Sequence, residues 1–238
     1  VVSADAVQWE DLNPARGDQS PRAGTLWGDR KADVATGYLL RPVDGFSSPP
    51  HIHNVSYRAV VIRGELHNDD PGAAHSWMGP GSFWTQPAGE AHITAARGSD
   101  TLAYIEIDSG PYLVHPVEQA TDNGERAVNL HPSHLVWLRA PGPSGAQLAH
   151  LWGEPEGPGA SGSFVRWGAG STVELRSQSG ELRAVVTAGT PGVAGAKQSL
   201  EPGSLVREAA GAAVSLRCGP EDCMVYVTAA GGLVVGGE

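Results

Sequence analysis

Three histidines have the spacing needed to hold a metal ion. His51 and His53 stand one residue apart in "PPHIHN", and in an extended strand residues i and i+2 project to the same side. His92 ends the stretch "GSFWTQPAGEAH", in which Gly81 is followed by five residues, then Pro87, Gly89 and His92. Neutral imidazoles bind Fe, Mn, Zn, Ni or Cu well. Three of them from adjacent strands cover one face of a cation and leave the other open to a substrate or dioxygen.

Such a cluster requires a strand-rich scaffold, and the rest of the chain supplies one. Segments such as "GYLLRPV", "RAVVIRGELH", "SFWTQPA", "TLAYIEI", "GSFVRWG", "LRAVVTAG" and "MVYVTAA" read as short strands separated by turn formers. With 32 Gly and 18 Pro among 238 residues, long helices have little room. The chain is also an internal duplication. Residues 26–64 lie over 151–189 without a gap, with 12 of 39 positions identical, including "LWGD" over "LWGE", Gly37 over Gly162, Arg41 over Arg166 and "RAVVIRG" over "RAVVTAG". A second block sets "PGSFWTQPAG" over "PGSLVREAAG" and Tyr104 over Tyr226. We therefore expect an all-β protein of two domains, 1–127 and 128–238, with the turn-rich segment 108–130 as linker.

Composition narrows the function classes. The net charge of −10 argues against nucleic-acid partners and a polybasic membrane surface, and no apolar run approaches the ~18–20 residues of a membrane span. The two cysteines, Cys218 and Cys223, flank a Gly-Pro-Glu-Asp turn between strand-like runs, where either a disulfide or a reduced buried pair fits. A disulfide favours a periplasmic or secreted location over the cytoplasm.

The His-x-His strand ending in glycine, followed by G(X)5PXG(X)2H, resembles the two motifs of the cupin superfamily, small β-barrels with a metal at their centre. The likeness extends to both halves through the repeat and implies a bicupin: two tandem antiparallel barrels of the jelly-roll or double-stranded β-helix type, related by pseudo-twofold symmetry. "HIHNVSYRAVVIRGELHN" with "LWGD" upstream also resembles a bacterial two-cupin family known as a domain of unknown function. The resemblance implies one divalent transition metal on His51, His53 and His92, iron foremost with Zn, Mn and Ni as alternatives. In the second half the ligand positions fall on Arg176, Gln178 and Val214, so that half is expected to be metal-free scaffold.

Most metal-binding cupins add a glutamate after the histidine pair. Counted back from Gly64 that position is Tyr57, and counted forward from His53 it is Arg58. Arg58 recurs as Arg183 in the half without ligands, which marks it as scaffold and leaves Tyr57 as the candidate catalytic acid or base. His67, Trp84, Gln86 and Arg58 are the candidate substrate contacts, and residues 67–79 a candidate lid. Three neutral ligands leave the cation its full charge, which selects small anionic or enolisable substrates such as carboxylates and 1,3-dicarbonyls. Among cupins such sites belong to dioxygenases; a lyase or isomerase and a non-catalytic sensing bicupin are the alternatives. The two-barrel chain is expected to be a monomer or homodimer.

Overall fold

The structure, a computed structural model, describes residues 1–196 and 198–237. Among these the chain is built from strands and short 3-10 turns, and no helix is long and apolar enough to cross a membrane. It divides into two compact units. One runs from Val7 to His134; the other runs from Leu135 onward and includes Val1–Ala6.

The first unit contains strands β1 (Trp9–Asp11), β2 (Arg22–Trp27), β3 (Thr36–Arg41), β4 (His51–His53), β5 (Tyr57–Asp69), β6 (Phe83–Gln86), β7 (Ile93–Ile107), β8 (Val114–Pro116) and β9 (Val128–Leu130). Seven of them form an antiparallel sheet in the order β1-β2-β3-β7-β5-β6-β9, and β4 pairs with β8 in a separate ribbon. The ladder does not close on itself. The expected barrel is therefore a jelly-roll sandwich with open edges. Alternation along β5 sends Tyr57, Ala59 and Val61 into a core shared with Tyr38, Trp84 and Ile105.

The segment expected to be a linker belongs to this unit. Residues 114–116 pair with the histidine strand and residues 128–130 pair with β6, so the first unit continues to His134. At the other end, Val2 and Leu205 exchange backbone hydrogen bonds of 2.8 Å, which attaches the first six residues to the second unit.

The second unit contains β10 (Leu138–Arg139), β11 (Gln147–Trp152), β12 (Ala160–Trp167), β13 (Thr172–Ser177), β14 (Leu182–Ala188), β15 (Gly192–Val193), β16 (Leu205–Glu208), β17 (Ala213–Arg217), β18 (Cys223–Ala230) and β19 (Leu233–Gly236). They form one sheet in the order β10-β11-β12-β18-β14-β16 and another in the order β15-β17-β13-β19. Cys218 and Cys223 are joined in a buried disulfide across the turn between β17 and β18.

Two contacts explain why the duplicated residues survive in both halves. Trp27 Nε1 donates to Tyr104 Oη at 3.0 Å, and Trp152 Nε1 donates to Tyr226 Oη at 2.8 Å. Gly37 and Gly162 lie beneath these indoles, where a Cβ would collide with the ring. Likewise Arg41 stacks on Trp9 at 4.1 Å and Arg166 on Trp137 at 4.0 Å, so each of the four tryptophans has a partner within its own unit. Replacing Gly37 with alanine is expected to lower the unfolding free energy by about 1–3 kcal/mol through overpacking. Denaturant titration checks this, and Trp27→Phe/Gly37→Ala should recover part of the loss because the indole nitrogen is no longer in the way.

Candidate metal centre

The three histidines meet because two local geometries coincide. The strand parity of β4 sets His51 and His53 on one side, and His92 sits directly across from His51, the two residues exchanging backbone hydrogen bonds of 3.0 Å. The chain reaches that position through Gly81 and Gly89, at φ of 81° and 77°, a region L side chains rarely occupy. The Gly89 N–H donates to the His53 carbonyl at 2.8 Å, so the turn of the second motif is bonded to the strand of the first.

The ring tautomers follow from the partners. His51 Nδ1 lies 2.9 Å from the Pro49 carbonyl, His53 Nδ1 2.9 Å from that of Leu113, and His92 Nδ1 3.1 Å from that of Glu90. A carbonyl only accepts, so each Nδ1 carries the hydrogen and each Nε2 presents a lone pair. The candidate ligand atoms of the three residues lie within 4.8 Å of one another. Burial, reinforced by His51, pushes the His92 pKa down to about 3; burial followed by His92 and His51 pushes His53 well below its ordinary value. All three are therefore neutral near pH 7. His92 Nε2 is buried without a hydrogen-bond partner, an arrangement that is costly unless a cation or a donor occupies the space it faces. The donor set fits a divalent transition metal.

A tyrosine from the expected linker completes the cluster. Tyr112 stacks on the His53 ring with centroids 4.3 Å apart, and its hydroxyl lies 2.9 Å from His53 Nε2, to which it donates. Asn54 holds this segment in place: its Nδ2 donates to Pro111 O at 2.9 Å and its Oδ1 accepts from Leu113 N at 2.8 Å. Burial raises the Tyr112 phenol well above its ordinary pKa, with Tyr38 and Tyr57 adding to the effect, so it stays protonated. Nothing in the local pattern of "SGPYLVHP" signals this placement, because it depends on pairing with a strand some sixty residues earlier.

The other sequence candidates divide between the cavity and its support. Tyr57 and Trp84 line a cavity of about 530 Å³ that also touches His51, His53 and Tyr112. The Tyr57 hydroxyl donates to Asn68 Oδ1 at 2.8 Å, so its proton is directed away from the imidazoles, and burial raises its pKa. Asn68 in turn accepts from Thr94 at 2.7 Å and donates to Gln86 Oε1 at 2.8 Å, and Gln86 Nε2 donates to the Glu90 carbonyl at 3.2 Å. That carbonyl is the one that orients His92. Gln86 therefore acts through His92 and does not face the cavity.

Arg58 and His67 stand elsewhere. Arg58 bonds Glu106 at 3.3 Å and pairs with Asp108, on the opposite side of β5 from Tyr57. His67 is fully buried under the segment 75–77, where its Nδ1 accepts from Ser76 N at 3.2 Å and its ring lies 4.5 Å from that of His75. None of residues 67–79 lines the cavity; the segments that do include Glu10–Pro14 with Arg16, and Pro42, Phe46, Ser48 and Pro49. In the second unit the repeat offset places Arg176 at His51 and Val214 at His92, yet β13 pairs Leu175 with Val214. That buried pair is apolar, and the one group of three ligand side chains among the described residues is in the first unit.

Two jelly-roll units, one with a His-x-His strand facing a third histidine, define a bicupin, and comparison with known proteins agrees. The chain belongs to the family described as domain of unknown function DUF4437, whose model matches residues 1–235. A candidate dioxygenase from Nostoc punctiforme superposes with a TM-score of 0.71 at 12% identity, covering 94% of this chain and 80% of that one. Vicilin from Corylus avellana gives 0.66 at 11% identity over 98% and 86%, and oxalate decarboxylase from Lactobacillus farciminis, in a formate complex, gives 0.59 at 10% over 95% and 84%. At these identities the likeness concerns the fold. A comparison with curated proteins gives no match.

Two outcomes test the centre. Replacing His51, His53 and His92 together with alanine is expected to abolish stoichiometric metal loading, measured by elemental analysis after dialysis against Fe(II) or Zn(II). The metal-free protein should also respond to acid. Folded His92 takes a proton only near pH 3 whereas an unfolded histidine does so near 6.5, so its contribution is complete above 6.5 and declines as pH falls through that window. The Tm of metal-free protein should fall between about pH 6.5 and 5, and His92→Gln should flatten the slope.

Proposed function

We propose that the first unit is a divalent-metal enzyme of dioxygenase type acting on a small carboxylate or 1,3-dicarbonyl, with the second unit as scaffold. The reading rests on three imidazoles whose candidate ligand atoms lie within 4.8 Å of one another, two of them, His51 and His53, lining the cavity, and the third, His92, with its Nε2 buried and unpartnered. A cation held there supplies Lewis-acid polarisation of a substrate oxygen and, where it is redox-active, electron exchange with dioxygen. Among the described residues no carboxylate joins the three imidazoles, so the charge that balances the cation comes from the substrate.

The chain's own groups then have distinct tasks. Tyr112 donates to His53 Nε2 while that lone pair is free. Once the lone pair is engaged, the O–H has lost its acceptor and turns to a substrate oxygen, as a hydrogen-bond donor or proton source. Trp84, Tyr38, Leu40, Phe46 and Ile105 give the cavity apolar walls that exclude water from the reacting oxygens. Tyr57, locked on Asn68, holds its ring against the cluster at 5.6 Å from His53. The carboxylate chemistry of the oxalate decarboxylases, which share the fold, is consistent with an acid as substrate. The buried disulfide supports an oxidising compartment as the place of action.

Protein reconstituted with Fe(II) is expected to consume oxygen with some members of a panel of carboxylates and 1,3-diketones. Tyr112→Phe should lower kcat by about 10²-fold while leaving metal content unchanged. Turnover without oxygen consumption would replace the dioxygenase with a lyase or isomerase, for which the same Tyr112 proton serves. Metal binding with no turnover of any panel member would leave a sensing bicupin.

A further inference from the structure

The cavity has a second pole. Arg30, in the turn between β2 and β3, lines it with a side chain only 10% exposed, and its guanidinium lies over the Tyr38 ring at 5.4 Å. One terminal nitrogen bonds Glu10 Oε2 at 3.2 Å, but the same oxygen also receives Lys31 Nζ at 3.1 Å. Two cations thus share one carboxylate, and that carboxylate is 56% exposed, so water screens what it offers. Arg30 Nε is buried and has no acceptor. The Tyr38 hydroxyl is buried beside that of Tyr112. Arg30 thus lines the cavity as a guanidinium whose one carboxylate acceptor is shared and exposed and whose buried Nε–H has no partner, so its donors are under-satisfied toward an anionic oxygen.

The pole is set at a fixed remove from the imidazoles. The Tyr112 N–H donates to the Arg30 carbonyl at 2.9 Å, so the turn carrying Arg30 is bonded to the segment that stacks on His53. Tyr38 and Tyr112 meet edge to face at 5.8 Å between the two ends. The intervening walls are apolar, formed by Leu12, Leu40, Phe46, Trp84 and Ile105. A ligand that satisfies both ends therefore has oxygen donors at one end, an apolar or aromatic middle and a second anionic group at the other.

We propose that Arg30 forms a second anion-binding subsite, and that the substrate is a two-headed acid with a carboxylate at each end of an apolar body. The proposal rests on the metal-enzyme reading for its first end only; the Arg30 end stands on its own contacts. It makes Arg30 a specificity-determining residue and Glu10 a built-in competitor for the same guanidinium.

The test uses two probes that differ by one group, phenylpyruvate and 4-carboxyphenylpyruvate, titrated into Zn(II)-loaded full-length protein and followed by calorimetry. The two-headed acid is expected to bind about tenfold or more tighter, the increment of a charge-assisted hydrogen bond. Arg30→Met should erase that preference while keeping phenylpyruvate affinity and zinc content. Glu10→Gln, at an exposed position where folding is not at stake, should tighten the two-headed acid several-fold by freeing the guanidinium. Equal binding of both probes, no binding of either, or a preference that survives Arg30→Met would overturn the subsite. Should zinc fail to load while the Arg30-dependent preference persists, the metal reading falls and the subsite stands.

Discussion

The site depends on three hydrogen bonds from imidazole to backbone. Three neutral rings packed side by side, largely out of water, are tolerable only if each Nδ1–H has an acceptor, and once it has, the opposite nitrogen can face only the cluster. Two of the acceptors are local: Pro49 lies two residues before His51, and Glu90 two residues before His92. The third is not. Leu113 reaches His53 from sixty residues away and is held there by Asn54 and by the pairing of β4 with β8. The same short segment delivers Tyr112, so the cluster's geometry and its one nearby proton are set by a single docking event.

The second unit shows what the fold needs without the chemistry. It keeps the Trp-to-Tyr hydrogen bond over a strand glycine and the Arg-on-Trp stack. At the repeat's counterpart of His92 it has Val214, buried opposite Leu175. An apolar pair fills that space at no cost in unsatisfied nitrogen. The first unit keeps three buried imidazoles there instead, one of them with an unpartnered Nε2, which is a structural burden that a ligand relieves. Scaffold and site are separable, and only one of the two copies carries the burden.

This separation also explains what could be read from the sequence. His51, His53 and His92 were legible because strand parity and the glycines at positive φ are local properties, and the duplication was legible because the paired contacts need the same residues in each half. Tyr112 was not. "GPYLVHP" has the composition of a linker, and only long-range pairing places it on the cluster. Tyr57 was placed near the histidines from its count to Gly64, but the direction of its hydroxyl depends on Asn68, eleven residues away on the same strand beyond two irregularities in register. In the second unit the ladder of β13 and β17 pairs Arg176 with Ala213 and Leu175 with Val214, so the two positions that the repeat offsets set against His51 and His92 are one residue out of register, and in a strand one residue changes the face.

The electrostatics of the cavity run against those of the whole chain. The protein carries a net charge of −10, yet the cavity holds Arg16, Arg30 and Lys31 against Glu10 and Asp11. In the proposed enzyme the far end adds a dipositive ion that no ligand carboxylate offsets. An acidic exterior repels anions at long range, and salt reduces that repulsion beyond about 8–10 Å. Discrimination then falls to the interior, where a poorly solvated guanidinium and a cation act over short distances in a medium that screens them far less. A neutral ligand satisfies neither end and a single carboxylate satisfies one. Each additional anionic group that reaches its pole removes a desolvated positive charge that the empty cavity otherwise leaves partly uncompensated, so selectivity for doubly charged ligands follows from the cavity and is opposed by the surface.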